Sequence, residues 1–358
     1  MDKKRIAWVD TVKFLCMIAV LADHAESSRE MLDLFVAPFY LNMFSFAAGY
    51  VYVHREGFGP FLRKKARQLL VPWLVFSLFV ILTAHLLSFR EHTGSLGRDL
   101  LWNFLQIHYH GDEMWYVAAL FVAFLPFYFV VSRYERSPAP GKTAAAQLLA
   151  FLLLALGSTA FSFLLPRDLL PWSEGLPLTL PWHLEYIGQA VFYMLLGFFF
   201  RVRWEAAYDR RGSLARGLGF LLVYLVLLYV VPPLFGGFTQ AQLAFYYFPC
   251  SLAAMPAIVS LCKAVRPGRF VSYVGQNTRV YYGLHGEVES LLLILLRRFV
   301  PQLYYTGIWG ESALFNLGFT LAFALVTAVL LLIPAYIINR WFPFVLGRRR
   351  KAAPTATP

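Results

Sequence analysis

Residues 5–25 read RIAWVDTVKFLCMIAVLADHA, an apolar run fit to enter a bilayer that carries Asp10, Lys13 and His24. Hydrocarbon offers no water to solvate such groups, so each is a suspect for function by default. Lys13 and His24 stand eleven positions apart. At about 3.6 residues per turn that is nearly three whole turns, so a helix sends both side chains out on one face. Asp10 lies one turn before Lys13 on that face. With a rise of about 1.5 Å per residue, Lys13 and His24 are roughly 16 Å apart along the axis, about half a hydrocarbon core. One group can therefore sit at the cytoplasmic surface while the other sits deep.

The rest of the chain agrees with a membrane reading. Of its 358 residues, 59% are hydrophobic and 15% charged, a balance too apolar for a soluble globule. The formal charge of +12 suggests nucleic acid until the charges are placed; they fall in short clusters between apolar runs, and no nucleic-acid partner is expected. Ten stretches are candidates to span the bilayer: 12–25, 32–53, 69–89, 114–131, 144–165, 186–200, 214–231, 243–261, 280–296 and 313–338. With a cytoplasmic N-terminus, 25 of the 32 Lys and Arg residues fall on the cytoplasmic side and 6 on the other, Lys13 lying within the first span. That asymmetry predicts that both termini are cytoplasmic. The expected fold is an all-α, polytopic integral membrane protein of about ten helices, with residues 1–347 as one membrane domain among lipids and 348–358 as a basic, disordered tail.

Several features exclude other classes. Cys16, Cys250 and Cys262 lie in separate apolar segments, so neither a disulfide framework nor a metal site is indicated. Lys3, Lys4 and Arg5 ahead of an apolar run imitate a signal peptide, but Lys13 interrupts the run and no small-residue cleavage site follows, which predicts a retained anchor. The outer segments 91–113 and 166–183 carry Trp102, His108, Tyr109, His110, Trp172 and Trp182. They read as an interfacial aromatic belt, or as a platform on which sugar rings stack.

His24 is the first candidate for chemistry, because an imidazole can take a proton from a hydroxyl and return it to a leaving group near neutral pH. The competing reading is a histidine packed against a neighbouring helix. Lys13 reads as a snorkelling anchor or as a partner in that chemistry. Arg63, Lys64, Lys65 and Arg67 precede the third span; Lys64 and Arg67 share a face, and the cluster reads either as topogenic charge or as a holder of phosphates. Asp112, Glu113, Trp115 and Tyr116 open the fourth span, and His183 and Glu185 open the sixth. Near the end, Gln276, Asn277, Thr278, Tyr281, His285, Glu287 and Glu289 crowd the ninth span, where His285 could face the same cavity as His24.

These stretches together resemble acyltransferase family 3, in particular its branch of sugar O-acetylases. The basic residue, ten intervening positions and histidine of the first helix match Lys13 and His24. NMFSFAAGYVY at 42–52 is similar to the family's run closing on Ser-Gly-Tyr, with Ala48 in place of the serine and Asn42 where many members have proline. The basic loop leading to Leu70-Val71-Pro72-Trp73, the Met114-Trp115-Tyr116 opening and Gly275-Gln276-Asn277-Thr278 followed by His285 complete the order. The family's basic motif commonly has two arginines, and here Lys64 takes the first place.

The resemblance implies transfer of an acyl group, acetyl above all, from cytoplasmic acyl-CoA to a hydroxyl of a cell-surface or lipid-linked saccharide, in a bacterial-type cytoplasmic membrane. It implies His24 as general base or acyl relay and Lys13, Lys64 and Arg67 as the residues that hold the donor's phosphates; position in the sequence adds Asp10 and His285 to the expected catalytic set and Arg63 to the expected donor ligands. Trp115, Tyr116, Glu185 and Tyr281 are the residues expected at the acceptor, with acetyl-CoA as the only cofactor and no metal. The alternative from another class is a non-enzymatic carrier or exporter of a glycan or lipid intermediate, in which intramembrane His and Glu would couple protons or hold cargo.

Overall fold

A computed structural model describes residues 6–348 except 26–29, 88–94, 108–113, 174–175, 208–209 and 311. Lys3, Lys4, Arg5, Arg29, Arg90, His108, Tyr109, His110, Asp112, Glu113 and the tail after Arg348 lie outside the described residues. Among those described, every regular element is a helix, as expected where hydrocarbon forces the backbone to satisfy its own hydrogen bonds. In chain order these are α1 (Ala7–Asp23), α2 (Glu30–Val36), α3 (Tyr40–Tyr50), α4 (Phe58–Leu87), α5 (Leu96–Leu105), α6 (Trp115–Glu135), α7 (Pro140–Leu164) and α8 (Ile187–Phe199). They continue with α9 (Arg210–Tyr229), α10 (Val231–Leu234), α11 (Gln240–Ala264), α12 (Arg269–Gln276), α13 (Thr278–Phe299), α14 (Pro301–Trp309), α15 (Ala313–Leu330) and α16 (Leu332–Trp341).

Among the described residues, six stretches are long and apolar enough to cross a bilayer: Phe58–Leu86, Trp115–Glu135, Pro140–Leu164, Leu214–Leu234, Gln240–Ala264 and Ala313–Trp341. The protein is accordingly a multi-pass membrane protein. The remaining predicted spans are helical too, but shorter or more polar, and they hold the centre. The stretch 32–53 breaks between α2 and α3 at Pro38, whose carbonyl accepts a hydrogen bond from Asn42 Nδ2 at 2.9 Å. A chain that needs a break at this depth has to supply its own partners for the freed carbonyls.

α7 and α9 turn Leu149, Leu153, Leu154, Leu218 and Leu222 outward, a surface suited to lipid. α8 buries most of its side chains, and α1 is buried from Trp8 to Ala22 along one side. Small residues let these inner helices meet backbone to backbone. A Cβ on Gly197 of α8 would lie 2.0 Å from the Phe46 carbonyl oxygen of α3, and one on Gly275 of α12 would lie 2.1 Å from the Asp10 carbonyl oxygen of α1. At the same end of the bundle, the Tyr50 hydroxyl donates to Glu205 Oε1 and Oε2 at 2.7 and 2.6 Å, and Lys263 Nζ sits 2.5 Å from Oε1. These contacts tie α3 and α11 to Glu205, which caps the π-helical turn Phe200–Trp204 that follows α8.

Candidate active site

α1 stops at Asp23, and His24 caps its C-terminus with φ −90° and ψ −8°. The imidazole folds back along the helix, placing Nδ1 2.9 Å from the Val20 carbonyl oxygen. His285 on α13 does the same, its Nδ1 2.8 Å from the Tyr282 carbonyl oxygen. A carbonyl oxygen can only accept, so each Nδ1 is the donor in its contact and, in a neutral ring, the lone pair is on Nε2. The two rings meet edge to face with centroids 4.7 Å apart, and Tyr282 stacks on His285 at 5.8 Å with planes inclined by 16°. His285 is buried. His24, at the cap of α1, is exposed.

Below this pair lies a cavity of about 360 Å³. Val20, Tyr116 and Tyr282 line it near the histidines, one helical turn from His24 and His285. Lys13, Arg55, Lys64, Lys65 and Arg279 line it where α1, α4 and α13 begin, with Glu56 as the one carboxylate in the wall. Lys64 Nζ contacts Glu56 at 2.6 Å, and Lys65 Nζ stands 3.4 Å above the centre of the Phe124 ring. Arg279 is fixed by donating Nη1 to the carbonyl oxygens of Gln68 at 2.6 Å and Leu346 at 3.2 Å. Five cations and one anion around one opening make a site for a polyanion, and the apolar throat beyond suits a long neutral arm.

The sequence model of the acyltransferase domain matches residues 6–338, nearly the whole chain. The chain belongs to acyltransferase family 3. No curated protein and no solved structure matches it.

The acyltransferase fold brings some of the sequence candidates together and separates others. Lys13, Lys64 and Tyr116 share the cavity, and His285 joins His24 beyond it. Arg63 and Arg67 are exposed and outside its wall. The inward face of α4 is Phe61, Lys64, Lys65, Gln68 and Leu69, which is the i, i+3, i+4, i+7, i+8 stripe of a helix, so Arg67 is turned away by one step. That stripe was present in the sequence and would have selected Lys65 over Arg67. Arg55 and Arg279 carried no comparable signal; only the meeting of α3, α4 and α13 assembles them.

Asp10 is buried where α1 touches Gly275, and the axial rise over fourteen residues puts it roughly 21 Å from His24, so it does not join the histidine pair. Asp23 accepts the Tyr40 hydroxyl at 3.0 Å. Tyr281 donates its hydroxyl to the Ala328 carbonyl oxygen at 2.9 Å and packs α13 on α15, while its neighbour Tyr282 supplies the ring in the cavity. Asn277 interrupts the helix between α12 and α13, donating to the Tyr273 carbonyl oxygen at 2.8 Å and accepting from Asn339 at 2.7 Å. Among the described residues, no cluster of three His, Cys, Asp or Glu side chains could hold a metal ion.

Tyr116 is held upright by Ser45 Oγ at 2.9 Å and by donation to the Leu41 carbonyl oxygen at 3.2 Å. Its ring lies 6.5 Å from Tyr282 and 6.2 Å from Tyr186, which stands on the far side. Trp115 and Glu185 belong to that far side. Trp115 packs 4.7 Å from His183, and Glu185 accepts from the Leu180 amide at 2.8 Å with His183 Nδ1 at 3.4 Å.

Proposed function

We propose that this membrane acyltransferase moves an acyl group, acetyl in the simplest case, from cytoplasmic acyl-CoA to a hydroxyl of a cell-surface or lipid-linked saccharide. The reading places both termini in the cytoplasm of a bacterial-type cell, on the Lys and Arg asymmetry, and so opens the cationic end of the cavity to the cytosol. The observation that carries it is that one cavity has five cations at one end and, at the other, the two residues whose carbonyls orient His24 and His285.

In this reading Lys13, Lys64, Lys65, Arg55 and Arg279 hold the donor's phosphates, and the pantetheine arm runs along Val20 toward Tyr282. His24, with His285 beside it, takes the acceptor hydroxyl's proton on Nε2. The hydroxyl oxygen bonds to the thioester carbonyl carbon, the carbon–sulfur bond breaks, and the proton passes from the imidazole to the departing sulfur. Transfer of label from acetyl-CoA to a membrane glycan fraction by purified protein tests the scheme. Free CoA and acylated glycan should appear together. A protein that binds no acetyl-CoA would remove the donor reading.

A further inference from the structure

Two more cavities adjoin beyond the Tyr116 and Tyr186 rings, of about 180 and 520 Å³. They share Thr159, Phe163, Pro177 and Gln189, so they are lobes of one cleft. The smaller is lined by Trp115, His183 and Glu185; the larger extends past Asn42 and Tyr193 to Arg167 and Tyr247. Small-molecule sites are commonly about 300–1,000 Å³, so the small lobe fits the end of a ligand whose remainder fills the large one.

The walls identify the ligand's chemistry. Gln189 at the junction donates Nε2 to Asn42 Oδ1 of the larger lobe at 2.9 Å, and Ser158, Thr159 and Ser162 line the small lobe, where the Ser158 and Thr159 hydroxyls donate to the Ala155 carbonyl oxygen at 3.0 Å and leave their oxygens to accept. Amides, hydroxyls and aromatic rings without a cation cluster suit a polyhydroxylated ring and contrast with the donor cavity. Glu185 is pinned by the Leu180 amide and His183, so a ring bearing carboxylate or phosphate would set acidic oxygens against its carboxyl oxygens, while Arg167, the cation in the wall of the larger lobe, donates Nη2 to Gln240 Oε1 at 3.2 Å. The backbone is strained to build this corner. Trp182 (φ 58°, ψ 24°) and His183 (φ 51°, ψ 44°) are consecutive left-handed residues that are not glycine. Left-handed backbone is unfavourable for residues with a Cβ, and such strain collects at ligand sites.

We propose that this cleft is the acceptor site and takes an uncharged oligosaccharide end, one sugar ring beside Trp115 and Glu185 and the preceding units in the larger lobe. The proposal rests on the saccharide acyltransferase reading and adds where the acceptor binds and what charge it carries. The test uses full-length protein, acetyl-CoA as donor, and the producing cell's own surface glycan, deacylated with mild alkali and separated by anion exchange into neutral and acidic fractions. Glu185→Gln and Gln189→Ala should each raise the KM for the neutral fraction about 10- to 100-fold, with the acetyl-CoA Kd unchanged. Thr159→Phe fills the junction from a residue with no part in the donor cavity and should have a similar effect. Trp115→Phe should retain the acceptor KM that Trp115→Ala loses. An unchanged acceptor KM in Thr159→Phe and Glu185→Gln, or equal use of the acidic fraction, overturns the acceptor site. Failure of the wild type to bind acetyl-CoA overturns the saccharide acyltransferase reading itself.

Discussion

The paired histidines give the sharpest prediction. Each imidazole has Nδ1 committed to a carbonyl of its own helix, at 2.9 Å for His24 and 2.8 Å for His285, and the rings touch at 4.7 Å. A positioned general base contributes about 10²–10⁴ in rate, which is roughly 2.7–5.5 kcal/mol at the transition state. His24→Ala should therefore lower kcat by that factor. His285→Ala removes the ring that holds His24 edge-on, and an aromatic contact of this kind carries about 0.5–1.5 kcal/mol, so a positioning role alone predicts a loss of about 2- to 13-fold. If His285 is part of the proton path, its loss instead approaches that of His24. The size of the His285→Ala loss settles which, and because residues acting as one unit are strongly non-additive, the double variant should be no slower than His24→Ala in either case. Steady-state transfer of labelled acetyl, read beside acetyl-CoA binding by calorimetry, measures both. Neither histidine lines the cationic cavity, so the Kd should hold. A His24→Ala enzyme within tenfold of wild type would refute the argument.

The cations are separable by the same assay. Lys65→Gln and Arg279→Gln should each weaken acetyl-CoA binding about 10- to 100-fold, whereas Arg63→Gln and Arg67→Gln, outside the wall, should change it less than about threefold. Tyr116→Ala should open the partition between the cationic cavity and the proposed acceptor cleft and raise acceptor-independent hydrolysis of acetyl-CoA, followed as thiol release; unchanged hydrolysis would show that Tyr116 is no barrier. Gly275→Ala should destabilise the folded protein by about 1–3 kcal/mol, since its Cβ would sit 2.1 Å from the Asp10 carbonyl oxygen, and a thermal unfolding series in detergent reads this directly.

Within a single helix the sequence was sufficient. Composition determined the membrane class and the apolar runs determined where helices form; the eleven-residue spacing predicted one side of α1 for Lys13 and His24, and in the structure Lys13 lines the cavity while His24 caps the helix. Between helices it was not. That His285 meets His24, that Tyr282 and not Tyr281 faces the cavity, and that Lys65 is inside while Arg67 is outside all depend on how α4 and α13 are rotated against α1. Those rotations are set by where backbones can approach, as at Gly275, and by which neighbour offers a carbonyl, as Ala328 does for Tyr281. Periodicity names the faces of a helix, and only packing against the other helices decides which face turns inward.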